Sequence, residues 1–207
     1  MSTGHEKLAR DLVVLTVMAE AMDDYLKSDI LFGKMPDGSM PMLTLGGYLM
    51  RQHRLLALID QLSAPEQNQL EQAIRLFNLA LVEKIVRFET KSHKELEARL
   101  RQLDEYLRDL QNKKGGGVRY ETAVEPRLMI SALLDKLQMP PYHLDERIVQ
   151  RTDLYDRNLR RRWAPGTSSG RKNGSQLIRN QFIGGFTAVP HDEIHLTLPS
   201  PPRYHSL

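Results

Sequence analysis

Glu89 and His93 stand four residues apart, one turn of a helix, so a carboxylate and an imidazole on one face could hold a divalent metal. A helical site of that kind needs a second acid-and-histidine set on a facing helix. The Glu-x-x-His pair of di-iron bundles is absent from the sequence, so the expected reading is a solvated polar patch. His191, Glu193 and His195 alternate, which would project all three from one face of an extended strand. They follow Pro190 and show no orienting partner of the kind metal-ligating histidines use, so solvent exposure is expected there too. His53, between Gln52 and Arg54, reads as a structural or surface residue. Lys113 and Lys114 ahead of glycines 115–117 superficially suggest a phosphate cradle. The spaced glycines, the following Lys-Ser/Thr and the flanking strand of a P-loop are missing, and Phe32-Gly33-Lys34 fails the same test. No serine has the strand-turn-helix setting of a nucleophile elbow. The chain has no cysteine, which removes disulfides, thiolate metal sites and a cysteine nucleophile together. No metal or cofactor is expected from these residues, and they argue against an enzyme.

The strongest functional signal is basic. Seven cationic residues, Arg157, Arg160, Arg161, Arg162, Arg171, Lys172 and Arg179, fall in residues 157–191 with no acid among them, although the whole chain carries only +3. Guanidinium groups grip phosphates and carboxylates through two parallel donors, and Trp163 beside them offers a stacking plane. An anionic partner, nucleic acid included, is therefore a candidate, with Trp163 counted among the contacts. Against this, Asp153 and Asp156 sit one turn away and neutralise part of the cluster, and a solvated helix face followed by a tail explains the same residues.

The elements that would position these groups are mostly helices. A first helix is expected over residues 3–30, opened by a Thr3/Glu6 capping box and carrying Leu8, Leu12, Leu15, Ala19, Met22 and Leu26 at alternating spacings of four and three. Val14, Met18 and Tyr25 widen that stripe. A turn-rich connection over 32–42 leads to a second helix at 44–62 with Leu45, Tyr48, Leu49, Leu55, Leu56, Ile59 and Leu62, where Gly46 and Gly47 would permit close backbone approach. Ser63, Pro65 and Glu66 mark the start of a third helix expected to run to about residue 111, roughly 70 Å at 1.5 Å per residue. Its stripe Leu70, Ile74, Phe77, Leu81, Ile85, Phe88 gives way to a second one at Leu96, Leu100, Leu103, Leu107, Leu110. The polar run 89–95 between them predicts a phase slip and a kink near Ser92. A fourth helix begins near Thr122, with Glu125 closing a capping box and Pro126 in the first turn, and ends at Pro140 and Pro141. A fifth spans 144–163, with Leu144, Ile148, Tyr155, Leu159 and Trp163 on one side. Residues 164–207 have the Gly, Ser, Pro and basic composition of an extended tail, within which 186–189 and 194–198 suit a short β-hairpin.

At 207 residues, 41% hydrophobic and 27% charged, the chain is long and apolar enough for a packed domain. Acids interrupt the N-terminal apolar residues, so no signal peptide is read, and no window approaches the ~20 apolar residues that cross a bilayer. A cytoplasmic location follows as the expectation. The sequence thus points to a mainly α protein, an antiparallel helical bundle over residues 1–163 with one long helix, and an extended basic tail over 164–207. Its expected role is non-enzymatic: a helical interaction or scaffold protein that associates with itself or with a protein partner. The alternatives are a nucleic-acid-associated protein using residues 157–179 and, behind it, a helical metal-binding enzyme around Glu89 and His93.

Overall fold

The computed structural model describes residues 4–111 and 121–162. Among them are seven α-helices and no strand: α1 (Gly4–Glu20), α2 (Met22–Lys27), α3 (Leu45–Ala57), α4 (Ala64–Val82), α5 (Ile85–Gln111), α6 (Glu121–Leu137) and α7 (Glu146–Arg162). The expected hairpin, the glycine run 115–117 and everything from Trp163 onward lie outside the described residues.

The apolar stripes face inward largely as their spacing dictates. Leu8, Leu12, Leu15, Met18, Met22 and Leu26 are buried along α1 and α2, and α1 lies against both α3 and α4. On α3, Leu45, Tyr48, Leu49 and Leu55 enter the core, but Leu56 is exposed. Tyr48 stacks on Phe77 of α4 with ring centroids 4.1 Å apart and donates its hydroxyl to the Ala73 carbonyl at 3.1 Å. Phe77 in turn meets Phe88 of α5 edge-on at 6.3 Å, so one aromatic seam joins three helices. Helix α6 packs on α3 and α5, and α7 on α5.

Helix ends differ from the sequence reading for identifiable reasons. The first helix stops at Lys27 instead of residue 30 because the Lys91 ammonium of α5 takes the carbonyls of Tyr25, Ser28 and Ile30, at 2.6, 2.9 and 2.8 Å. Ala21 divides it into two, though the bonds from Ala21 N to Val17 O and from Tyr25 N to Ala21 O persist. The second helix closes at Ala57 and is followed by a single 3-10 turn, Ile59–Gln61. Glu66 begins α4 as expected, its carboxylate accepting from the Ser63 backbone N–H at 2.8 Å and the Ser63 hydroxyl at 2.6 Å. Helix α6 starts at Glu121, one residue early, which places Pro126 beyond the first turn. Helix α7 starts at Glu146, two residues late.

The largest correction concerns the long third helix. It is two helices, and the break falls at Glu83 and Lys84, not near Ser92. At the break Lys84, its side chain nearly enclosed, pairs with Asp23 of α2. Through residues 89–95 the helix is continuous because the inward positions of the polar run are filled by polar side chains: Lys91, Ser92 and Glu95 are buried and carry the inward stripe from Phe88 to Leu96, while Thr90 and Lys94 face water. The phase never slips; polar side chains stand where apolar ones were sought.

Candidate functional site

The polar stretch of α5 organises the chemistry of the molecule on two sides. On one side, Glu95 is fully buried and its Oε2 accepts from the Gly46 backbone N–H at 3.1 Å, so a carboxylate sits on the free donors that open α3. Thr44 caps the same end, its hydroxyl oxygen accepting from the Gly47 N–H at 2.9 Å. Arg99 balances Glu95 through Nε and Nη2, 3.3 and 3.2 Å from Oε1, while its guanidinium lies over the Phe32 ring. A Cβ on residue 46 would stand 2.8 Å from Glu95 Oε1 and 3.0 Å from Met129 Cβ, so only glycine lets the carboxylate and α6 come this close. Next to it, buried Arg51 donates from Nη1 to the Gly47 carbonyl at 2.9 Å and faces Asp11, which also holds Arg54 at 2.6 Å. Burial pulls the Arg51 guanidinium below its ordinary value and Asp11 opposes that shift. This seam is a polar joint of α1, α3 and α5, in which the buried Arg51 Nε has no hydrogen-bond partner and stands 3.6 Å from Asp11.

Lys91 is a second joint. Its ammonium meets three carbonyls at the end of α2 and lies 3.9 Å from the centre of the Tyr25 ring. Burial lowers its proton affinity, and the charge of Asp29 opposes that shift. Sequence periodicity could not find Lys91, Ser92 or Glu95, because it scores only apolar residues as inward-facing.

On the solvent side of α5, Glu89 and His93 do share a face, and both reach the segment joining α6 to α7. Glu89 Oε2 accepts from the His143 N–H at 3.0 Å and lies 3.6 Å from His143 Nδ1. His93 Nδ1 is 2.9 Å from the Glu89 carbonyl, an acceptor only, which makes that nitrogen the donor. Its Nε2 is then unprotonated and accepts from the Asp145 N–H at 3.4 Å. These residues border an open cleft of about 730 Å³ whose apolar lining is Leu31, Leu144 and Ile148. The patch is thus partly enclosed, not simply solvated. Among the described residues no three His, Asp or Glu side chains already stand as a metal site.

Of the basic cluster, Arg157 is exposed on α7, and Arg160, Arg161 and Arg162 fall in the last turn of that helix. Their side chains, and Trp163, Arg171, Lys172, Arg179, His191, Glu193 and His195, lie outside the described residues. Asp156, expected to neutralise part of the cluster, has its carboxylate engaged by Arg127 of α6, which donates from Nε at 2.8 Å and Nη2 at 2.7 Å. Arg151, further up α7, is held by Glu97 and Asp104 of α5 at 2.8 and 2.5 Å. The Phe32-Gly33-Lys34 segment is a loop closure: Gly33 and Leu43 exchange backbone bonds of 2.9 and 2.8 Å.

One feature needs no polar group. Leu76, Leu79 and Val82 on α4, with Val86 in the first turn of α5, are 44, 67, 72 and 77% exposed. On α4 the spacing of three keeps Leu76, Leu79 and Val82 on one side, opposite the buried Phe77 and Leu81, and Val86 is exposed just beyond the break. No described helix is long and apolar enough to cross a membrane. Comparison with protein-family models, curated proteins and solved structures finds no match.

Proposed function

We propose that this chain is a non-enzymatic helical interaction protein, built as an antiparallel bundle, that associates through the outer face of α4 and the start of α5. The observation that carries this reading is the exposed aliphatic stripe Leu76, Leu79, Val82, Val86. Single exposed leucines are ordinary on protein surfaces, but a run of aliphatic side chains along one helix face is the form in which helices recognise other helices. A second copy of the chain is the partner we favour. Glu71 and Arg75 border one end of the stripe, and Glu83 and Arg87 the other, so the rim carries both signs at each end and does not repel an identical face. On α5 the inward carboxylate and ammonium, Glu95 and Lys91, hold the start of α3 and the end of α2, a structural use that supports binding over catalysis. Light scattering on the full chain across micromolar concentrations tests the proposal: a species of twice the chain mass supports it, and a strict monomer at all concentrations removes it.

A second reading, nucleic-acid association through Arg157, Arg160, Arg161 and Arg162 with Trp163, Arg171, Lys172 and Arg179, is favoured by one observation. The carboxylate of Asp156, one turn before Arg160, is engaged by Arg127 of α6. Fluorescence anisotropy against unrelated oligonucleotides over a salt series tests it. Phosphate contacts require affinity to fall steeply with salt and to weaken alike for all sequences when the four arginines of α7 become alanine.

A further inference from the structure

The geometry points to a direction for the proposed dimer: the two copies of α4 cross antiparallel at Leu79, with Arg75 of each copy set against Glu83 of the other. This inference rests on the outer face of α4 being the contact between copies, and adds the partner's orientation and the residues that select it.

The apolar residues alone do not choose a direction. Leu76, Leu79 and Val82 are exposed along one side of α4, and two helices crossing at Leu79 cover all three either way. A parallel pair sets each residue beside its own copy, and an antiparallel pair sets Leu76 beside Val82. The charges do choose. Arg75 lies four residues before Leu79 and Glu83 four residues after it, each about 6 Å along the axis, and the Glu83 backbone is still helical as the C-cap of α4. An antiparallel pair therefore puts Arg75 level with Glu83 twice over. A parallel pair puts Arg75 level with Arg75 and Glu83 level with Glu83, and like charges juxtaposed across an interface reject that arrangement. The exposed residues between the two, Leu76, Asn78, Leu79 and Val82, are uncharged, so no other charge on this stretch competes. Both side chains are within reach of a partner: Arg75 is 70% exposed beside Glu71 at 3.5 Å, and Glu83 is 77% exposed beside Lys84 at 3.3 Å. The helix dipoles act in the same sense, because antiparallel packing brings the positive end of each α4 toward the negative end of the other.

Sedimentation of the full chain separates the orientation from the dimer itself. A parent that is monomeric at every concentration removes both. Given a dimer, Arg75→Glu and Glu83→Arg should each weaken self-association by roughly fivefold or more, because two exposed pairs turn from attraction to repulsion. An equimolar mixture of the two variants should recover it, since every facing pair is then opposite in sign. A parallel dimer would be indifferent to either reversal, which only exchanges one like pair for another. Disulfide trapping reads the orientation directly, because the chain has no cysteine of its own. Arg75→Cys mixed with Glu83→Cys should cross-link on oxidation, and neither should cross-link with itself, since about 12 Å of helix rise separates the two copies of either position and a disulfide spans at most about 7 Å between Cα atoms. Dimerisation unchanged by both charge reversals, or a cysteine mixture that cross-links no better than the single variants alone, would overturn the antiparallel pairing and leave the dimer standing.

Discussion

Replacing Gly46 by alanine tests the buried joint between α3 and α5 with a single methyl group. In an open helix the change would help, since alanine exceeds glycine by about 1 kcal/mol in helix propensity. At residue 46 the new Cβ would stand 2.8 Å from Glu95 Oε1, 3.0 Å from Met129 Cβ and 3.1 Å from Leu133 Cδ1, and two of those neighbours belong to the packed α6. Overpacking of this kind costs about 1–3 kcal/mol. Pushing Glu95 off the Gly46 N–H adds the loss of a charge-assisted bond, about 1.5–3 kcal/mol. Set against the propensity gain, the net destabilisation is about 1.5–5 kcal/mol, a fall in melting temperature of roughly 3–20 °C for a chain of this size. Urea denaturation followed by circular dichroism measures it, with Gly38→Ala as the control, because a Cβ at Gly38 meets nothing within 4 Å. Gly38→Ala should stay within about 0.5 kcal/mol of the parent. Equal stability of the two variants would refute the close approach of Glu95 to the start of α3.

Leu81→Asp puts an unpaired carboxylate into a fully packed position and should cost about 4 kcal/mol or more, read as loss of the cooperative melt; an unchanged melting temperature would mean the buried face of α4 is misassigned. Lys91→Met keeps the aliphatic stem but withdraws the donor from three carbonyls, and should cost about 2–4 kcal/mol and strip hydrogen-exchange protection from residues 25–28 before the rest of α1. The Ser63 hydroxyl and backbone N–H hold the Glu66 carboxyl below its ordinary value of 4.5, so the unfolded chain binds the proton first. The stability this cap contributes is therefore complete above about pH 4.5 and is lost as the pH falls through the lower folded value. Glu66→Gln should flatten the acid limb of a stability profile, and an unaltered limb would show that the cap does not titrate as described.

The helices were legible in the sequence where apolar residues alone make the inward stripe. Ser63, Pro65 and Glu66 announce α4 without ambiguity, and Gly46 and Gly47 signalled the close approach that Glu95 makes. The reading failed where burial is polar. Lys91, Ser92 and Glu95 continue the stripe of α5 in side chains that hydropathy scores as outward, so a continuous helix looked like one out of phase, and the true break at Glu83 and Lys84 passed unseen. Lys91 also ends α2 from sixty residues away, a tertiary cause that no local pattern contains. Glu89 and His93 were visible as a pair, but His143 and Asp145 are adjacent to them only through the packing of α5 against α7. The exposed stripe was not legible: the expectation of spare apolar surface rested on one long third helix and a phase slip at 89–95, and the break at Glu83 and Lys84 removes both grounds.

The proposed dimer joins two copies of the chain through the exposed face of α4. Sedimentation equilibrium of the full chain and of Leu79→Glu with Val82→Glu tests it most directly, because both side chains point outward and their replacement leaves the core intact. The parent should form a concentration-dependent dimer, and the double variant a folded monomer with the parent's helical circular dichroism. A parent that stays monomeric, or a double variant that dimerises as the parent does, would contradict it.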